Sequence, residues 1–298
     1  MRLADFLHDQ ALELEDIYRV GTGQGRSGWT SLKRDAGLIV AEPGPEEDYF
    51  SRRFGDLLHV DDPRRLDVMT VVGMRQEGSP TLNAEDALGV QMLAYQIDGR
   101  HDQAAGHEAF LERVARHPTI AAELVELSAL LQARSTLGEH PVPGLEDTPL
   151  CLHAGYGARE ILTAVRWLTA SRRMPMVSGV LPISQRKTEL LFVTLDKSEG
   201  YHDRIAYHDY AISAERFHWQ SQNSAGPDTP GGRRYLESST NGWQFQLFVR
   251  PRKGEAYRAC GPVTLESAEG DRPMSIVWQL QTPLPARLFR EFSVLRGA

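Results

Sequence analysis

Cysteine is scarce in this sequence, and long apolar runs are missing from it. The chain of 298 residues has two cysteines, Cys151 and Cys260, which lack metal-ligand spacing and lie in apolar, strand-like segments. We therefore interpret them as small buried hydrophobic residues in a reducing compartment. No apolar run approaches the roughly 18 residues of a membrane helix, and the acidic, amphipathic N-terminus does not resemble a secretory signal. These features predict a cytoplasmic protein without a membrane partner.

The motifs of common enzymes are also absent. Gly23-x-Gly25-x-x-Gly28 has the spacing of a dinucleotide-binding loop, but it follows a predicted helix instead of a strand. No lysine is preceded by the glycines of a phosphate loop, and no G-x-S-x-G sequence indicates a serine hydrolase. The histidines and acids lack the spacing of a zinc or two-metal site. The sequence predicts no catalytic residues, no metal and no cofactor, so we expect the chain not to be an enzyme.

Negative charge predominates, but it is unevenly distributed. The formal net charge is −7, with −12 in residues 1–150 and +5 in residues 151–298. Because phosphate binding depends on the local potential, only the second half is predicted to bind nucleic acid. This positive excess is also compatible with an ordinary, mildly basic domain.

The first half has the periodicity of a helical domain. Apolar residues recur at three- and four-residue spacing in segments such as 88–97, 110–114 and 120–131. The pair Pro118-Thr119 is a typical start signal for the last of these segments. We predict an all-α domain of roughly five or six helices over residues 1–135.

The second half has the pattern of a β-rich domain. Residues 136–149 are rich in proline, glycine and acidic residues and are predicted to form a linker. One amphipathic helix at 158–168 is followed by short β-runs, of which 189–195 is mostly apolar and 243–250 alternates. We predict a mostly antiparallel β-barrel-like domain over residues 150–298, and an α+β fold class for the chain.

Residues 207–222, YHDYAISAERFHWQSQ, are the most unusual stretch of the chain. They place aromatic and imidazole rings around the carboxylate of Asp209, where an ordinary strand pair would keep His, Asp and Trp sparse. Flat rings supply stacking surfaces and an ionised aspartate accepts hydrogen bonds, as a pocket for one unstacked nucleobase requires. The rings could equally fill a β-rich core, with both histidines on the surface. Strand alternation also means that not all rings face one pocket.

Two sets of candidate site residues follow from these patterns. The candidate base pocket comprises Tyr207, His208, Asp209, Tyr210, Phe217, His218, Trp219 and Gln220. The candidate phosphate-binding or groove-binding residues, in or beside predicted loops, are Arg186, Lys187, Arg233, Arg234, Arg250, Arg252 and Lys253. Any single basic pair is typical of solvated surface, but as a group these residues are predicted to converge on a phosphate backbone. The loop 224–234, rich in glycine and proline, is predicted to be mobile.

Several blocks of the second half resemble a bacterial family. In chain order they are PLCLHAGYGAREILTA, KTELLFVTLDKSE, YHDYAIS, RFHWQSQ, RYLESSTNGWQFQLFVR and GPVTLESAEGDRPMSIVWQL. The family is the C-terminal domain of unknown function in proteins that join a phospholipase-D-type nuclease to a superfamily 2 helicase, including ATP-dependent type IV restriction enzymes specific for 5-methylcytosine. The first half is similar to the helical coupler segment before that domain, through LELEDIYR, GWTSLKRDAGL and LLHVDDPRRL.

The resemblance implies an SRA-like or PUA-like reader of double-stranded DNA that carries modified cytosine. Such a reader flips the base out of the duplex, and Asp209 would then accept a proton from the cytosine amino group. Helicase and nuclease modules would be supplied in cis or in trans, because the chain has neither a helicase motif nor a His-x-Lys pair. Two alternatives stay open: a protein-interaction or coupling module of a helicase, and a reader of hydroxymethylcytosine or a phosphorothioate backbone.

Overall fold

The computed structural model describes residues 1–18, 28–76, 78–99, 106–169, 172, 179–196 and 209–293. Contacts divide the chain into two units. The helical unit consists of residues 1–139 and 157–173, and the sheet unit consists of residues 140–156 and 174–298. Residues 157–173, which the sequence assigns to the second domain, therefore pack with the helices instead.

The helices of the first unit follow from local sequence signals. They are α1 (Leu3–Gln10), α2 (Leu14–Ile17), α3 (Trp29–Asp35), α4 (Glu47–Ser51), α5 (Pro63–Met74), α6 (Ala84–Asp98), α7 (His107–Ala115), α8 (Pro118–Arg134) and α9 (Ala158–Ala164). The periodic segments 88–97, 110–114 and 120–131 lie within α6, α7 and α8, which confirms the helical prediction. The Asp62 carboxylate accepts the N–H of Arg64 and so caps α5, while Pro118 opens α8 where its missing N–H costs nothing.

A buried carboxylate from α8 caps the start of α3. Glu123 accepts the N–H groups of Trp29 at 2.9 Å and Thr30 at 2.8 Å, and the Tyr18 hydroxyl at 2.8 Å. Burial raises the pKa of Glu123, although these donors oppose the shift. A Cβ on Gly28 would overlap the Ser51 side chain. The last glycine of the dinucleotide-like pattern thus serves close packing.

Helix α9 inserts a second buried carboxylate into the helical unit. Glu160 is fully buried and forms an ion pair with the nearly buried Arg65 of α5. It also bonds the His59 Nε2 at 2.8 Å and accepts the N–H of Gly157 at 2.6 Å. Burial alone would raise the pKa of Glu160, but Arg65 and His59 more than offset it, so the pKa is lowered. These contacts explain why α9 packs with the helices.

The sheet unit contains one mostly antiparallel sheet. Its strands are β1 (Gly155–Tyr156), β2 (Val180–Ile183), β3 (Thr188–Asp196), β4 (Tyr210–Ala211), β5 (Arg216–Gln220), β6 (Gln244–Arg252), β7 (Tyr257–Gly270) and β8 (Met274–Leu280). The order is β2-β3-β6-β7-β8-β5-β4, and β1 pairs with β7. β3 and β6 pair in parallel, while the other pairs are antiparallel.

The predicted barrel is wrong, because the described strands form an open sheet. Closure would require the two end strands to pair with each other. Instead, β2 pairs with β3 and β4 pairs with β5 at opposite ends of the strand order. The α+β class, with a helical region followed by a mostly antiparallel sheet, is confirmed.

One face of the sheet carries the hydrophobic core of this unit. Every second residue of β6 and β8 points into it, including Phe245, Leu247, Ile276 and Trp278. The short helices α10 (Pro230–Leu236), α11 (Ser238–Asn241) and α12 (Ala286–Ser293) complete the unit. Tyr235 of α10 and residues of α12 belong to this same core cluster. These helices cover that face of the sheet, while the opposite face is also buried at β3 and β6, where the rings of Phe192 and Phe248 stack.

The predicted mobile loop 224–234 is folded. Thr229 caps α10 by accepting the N–H of Gly232 at 3.0 Å, and its hydroxyl donates to the Gly226 carbonyl at 2.8 Å. Asp228 forms an ion pair with Arg272, which lies in the turn between β7 and β8. The glycines permit a tight turn that packs against the β7–β8 hairpin. The high glycine content of this loop therefore serves close packing.

Candidate nucleic-acid interface

Strand β5 divides the predicted base-pocket residues between two faces of the sheet. Phe217 is fully buried and Trp219 is 4% exposed, whereas His218 and Gln220 are half-buried. Successive side chains of a strand point to opposite faces. Phe217 and Trp219 therefore face the core, and His218 and Gln220 face the other side, termed here the outer face.

Trp219 is a packing residue of the core. Its ring lies edge-on to Tyr235, with centroids 5.4 Å apart, and 6.2 Å from the ring of Trp278. Phe245 joins the same cluster, 5.1 Å from Trp278. Such pairs contribute roughly 0.5–1.5 kcal/mol each beyond their buried area. Phe217 and Trp219 therefore fill the β-rich core, which is the alternative that the sequence left open for these rings.

Tyr210 and His218 form a stacked pair on the outer face. They are direct partners in the β4–β5 register, with ring centroids 5.1 Å apart and planes inclined by 19°. The His218 Nε2 lies 2.6 Å from the Ser275 hydroxyl of β8. Both rings are half-buried, so part of each surface is accessible to solvent. The structure thus brings two of the predicted ring residues together.

Asp209 holds the ends of β4 and β5 together. The residue is 5% exposed, and its Oδ1 accepts the backbone N–H of Gln220 at 2.8 Å. A carboxylate that accepts a backbone N–H fixes the chain around it through a charge-assisted hydrogen bond. Asp209 therefore positions Gln220 and, through the β4–β5 pair, Tyr210. The remaining pocket candidates, Tyr207 and His208, lie outside the described residues.

Strand β8 belongs to the same surface, which its sequence does not indicate. In the sheet register His218 is opposite Val277, and Gln220 is opposite Ser275. Residues 275, 277 and 279 of β8 are half-buried and face outward between buried neighbours. Their alternation is visible in the sequence, but the pairing of β8 with β5 is a tertiary property.

The candidate phosphate-binding residues fall into two groups at opposite ends of β3 and β6. Arg186 and Lys187 immediately precede β3, and Arg233 and Arg234 lie on α10, which is tied to the same end. Arg250, Arg252 and Lys253 lie at the far end of β6. Roughly 25 Å separate the two ends at about 3.3 Å per residue. The structure does not bring these residues to one end of the sheet.

Several of these cations already have protein partners. Arg186 forms an ion pair with Asp147, and the Arg234 Nε donates to Glu189 at 2.8 Å. The Arg250 Nε donates to the Thr194 hydroxyl at 2.9 Å. Lys187, Arg233 and Lys253 are exposed, although the Lys187 Nζ donates to the Asn241 carbonyl at 3.4 Å and Arg233 donates to the Asp228 carbonyl at 2.8 Å.

The unit boundaries also change the charge balance. The helical unit carries −7 and the sheet unit carries 0, whereas residues 151–298 carry +5. Residues 157–173, with a net charge of +3, pack with the helices, and the acidic residues Glu146 and Asp147 pack with the sheet. Electrostatic attraction of a polyanion to the sheet unit would thus depend on local groups of cations.

Other kinds of site are not seen in the part of the chain that the structure describes. No three His, Cys, Asp or Glu side chains there are grouped so that they could hold a metal ion. None of the described helices combines the length and apolar character needed to cross a membrane.

In a comparison with known proteins, the second half of the chain matches one family model. No curated protein matches the chain significantly. Residues 150–292 match the model of a family described as a domain of unknown function, DUF3427. This match covers the whole described sheet from β1 to β8 and also α9, which packs in the helical unit. The chain therefore carries a DUF3427 domain over residues 150–292.

Proposed function

We propose that the sheet unit binds DNA through the outer face of β4, β5 and β8 and reads a modified cytosine there. In this proposal it is the specificity module of a restriction system, and the helicase and nuclease modules act in cis or in trans. The observation that carries the proposal is the half-buried stack of Tyr210 on His218. Aromatic and imidazole rings on an accessible sheet face are typical platforms for unstacked bases.

Hydrogen-bonding groups surround the stacked pair. The side chain of Gln220 is half-buried on the outer face, and the Ser275 hydroxyl lies beside His218. An amide and a hydroxyl each donate and accept, so they are suited to the mixed edge of a cytosine. We assign contact with the base edge to Gln220 and Ser275. Asp209, whose carboxylate bonds the Gln220 backbone, then acts as a positioning residue.

The exposed cations are assigned to the flanking phosphates. Lys187 and Arg233 lie at the end of β3 where the β7–β8 hairpin extends past β6. Lys253, at the opposite end, would contact a phosphate several nucleotides away, since duplex DNA rises about 3.4 Å per base pair. Phosphate contacts of this kind fix the orientation of the nucleic acid but do not read its sequence.

A binding titration with the full chain tests this proposal. Labelled DNA carrying 5-methylcytosine, hydroxymethylcytosine, a phosphorothioate or no modification is compared at physiological salt by fluorescence anisotropy. We expect preference for a modified cytosine and a loss of about 5- to 150-fold in affinity for Tyr210→Ala or His218→Ala, from roughly 1–3 kcal/mol per stacked base. Trp167→Leu, at a half-buried ring in the helical unit, is the control and should bind normally.

Two variants of Asp209 separate positioning from direct recognition. Asp209→Asn keeps an oxygen that can accept the Gln220 N–H, whereas Asp209→Ala removes it. We expect the Asn variant to keep its preference for modified DNA and the Ala variant to lose it. Loss of preference in both would instead assign the carboxylate itself to the base. Absence of binding to every DNA at physiological salt would overturn the proposed function.

A protein-interaction or coupling role is the second candidate. The neutral sheet unit favours it, because non-specific attraction to DNA is weak without a positive surface. A protein-binding module would show no response to the modification and no dependence on the Tyr210–His218 pair. The same titration therefore distinguishes the two functions.

A further inference from the structure

We infer that α9 is a docking helix, through which a receiving surface on α5 and α6 of the helical unit holds the DUF3427 domain. Helix α9 lies within the family match of residues 150–292, whereas α5 and α6 lie outside it. The chain passes between the two units after residues 139, 156 and 173, so α9 is joined to the sheet unit at both of its ends. This inference concerns the connection between modules and does not depend on DNA binding.

Helix α9 is too short to be stable by itself. It has seven residues, whereas isolated helices shorter than about 12–15 residues are marginal in water. It packs against α6, and its apolar residues Ile161 and Leu162 are fully buried. The stability of α9 therefore comes from its packing in the helical unit, as expected of a helix that forms on its partner.

Glu160 uses one carboxylate both to begin α9 and to bind α5. Its Oε2 accepts the N–H of Gly157, the residue that precedes the helix, at 2.6 Å and lies 2.8 Å from the His59 Nε2. Its Oε1 forms the ion pair with Arg65 of α5. A buried ion pair is far more costly to break than an exposed one. Formation of α9 and its attachment to α5 are therefore coupled through Glu160.

The receiving surface also fits the backbone at the start of α9. A Cβ on Gly157 would overlap the Gln96 side chain of α6, so the two segments approach closely there. The Arg159 guanidinium lies 3.8 Å from the position of a Cβ on Gly99, the residue that follows α6. The surface thus fits a helix that begins with Gly-x-x-Glu and places the glutamate against the buried Arg65.

Cleavage of the full chain tests whether α9 holds its two parts together. A protease recognition sequence is inserted after Gly138, where Gly138 and Glu139 are exposed and an insertion is best tolerated. After cleavage, residues 1–138 and the remainder, which carries α9, should still elute together in size-exclusion chromatography. Separation of the two parts of the wild type at micromolar concentration would overturn the inference.

Substitution of Glu160 tests whether its carboxylate makes the docking contact. In the cleaved protein, Glu160→Gln should weaken the association at least about 100-fold, because it removes the buried ion pair with Arg65. Glu146→Gln is the matched control, since Glu146 also accepts a glycine N–H, at 2.9 Å, but is exposed. Sedimentation velocity over a dilution series measures the dissociation constants. Equal constants for the two variants would contradict the docking role.

Hydrogen exchange in the uncut chain distinguishes docking from general stability. In Glu160→Gln the amides of α9 should exchange at least about tenfold faster than in the wild type, while those of β6, β7 and β8 keep their protection. If Glu160→Gln does not fold, His59→Leu replaces it, because that variant leaves the Glu160–Arg65 pair in place. Unchanged exchange in α9, or faster exchange in the strands as well, would refute the inference.

Discussion

The hydroxyl of Tyr235 donates a hydrogen bond to the Glu189 Oε1 at 2.8 Å and so links α10 to strand β3. Glu189 is fully buried, and its other oxygen accepts the Nε of Arg234 at 2.8 Å. Burial, together with the charge of Glu189, raises the pKa of Tyr235 well above its ordinary value, so the hydroxyl stays protonated as a donor. This contact fixes the helix that covers the aromatic core.

Tyr235→Phe should destabilise the sheet unit by about 1–3 kcal/mol, because a buried carboxylate loses a hydrogen-bond donor. Urea unfolding followed by tryptophan fluorescence measures the change. In a double-mutant cycle with Glu189→Gln, the two effects should couple by roughly 0.5–3 kcal/mol. Strictly additive effects would show that the hydrogen bond contributes nothing.

Gly232→Ala should destabilise the protein, whereas the neighbouring Gly231→Ala should not. A Cβ on Gly232 would overlap the backbone carbonyl of Gly226, and the backbone cannot yield as a flexible side chain would. We expect a cost of about 1–3 kcal/mol, typical of overpacking. At Gly231 the nearest atoms are 3.9 Å away, so alanine should be neutral or stabilise α10 by up to about 1 kcal/mol. Thermal unfolding of both variants provides the comparison, and equal melting temperatures would contradict it.

Glu160 should make the helical unit sensitive to acid. Its pKa is lowered from 4.5 in the fold, so the carboxylate stabilises the folded state above that pH and loses this contribution as the pH falls through the folded value. Glu160→Gln should cost about 3–5 kcal/mol at neutral pH, since it leaves Arg65 buried without its counter-charge. The difference in unfolding free energy between Glu160→Gln and the wild type should become smaller below pH 4.5. Urea unfolding followed by far-UV circular dichroism measures it.

Glu123 should show a pH dependence of the opposite sign in the same experiment. Burial raises its pKa above 4.5, so its contribution to stability is largest below that pH and decreases as the pH rises through the folded value. The difference in unfolding free energy between the wild type and Glu123→Gln should therefore become smaller as the pH increases. If the stability differences of the Glu160 and Glu123 variants changed with pH in the same direction, the opposite pKa shifts of these two glutamates would be contradicted.

The two cysteines should not react in the folded protein. Cys151 and Cys260 are both buried, and burial raises the pKa of the Cys260 thiol to about 12. The thiolate is the reactive form, so alkylation near neutral pH should be negligible until the chain is unfolded. Mass spectrometry after iodoacetamide treatment, with and without denaturant, tests this. Alkylation of Cys260 under native conditions would show that the strand opens.

The helices were predictable because their signals are local. Three- and four-residue spacing predicts α6, α7 and α8, and Pro118 and its neighbours determine where α8 begins. The loop 224–234 shows the limit of composition, since its glycines and prolines also suit a packed turn and the start of α10. Whether a glycine belongs to a mobile loop or to a packed turn depends on the residues that contact it.

The candidate site was predictable only in part. The alternation of residues 216–220 implies that His218 and Gln220 share one face of a strand while Phe217 and Trp219 share the other. Which of the two faces is buried depends on α10 and on the ring cluster of Tyr235 and Trp278. The sequence spacing contains no information about those partners.

By itself, the sequence determined the α+β class, the periodic faces of helices and strands, and the burial of both cysteines. Tertiary structure decided that the sheet is open, that β3 and β6 pair in parallel, and that α9 places Glu160 among the helices. Periodicity is set by the geometry of one segment, so it can be read locally. Strand partners, register and the choice of buried face arise from contacts between distant segments, and these exist only in the folded chain.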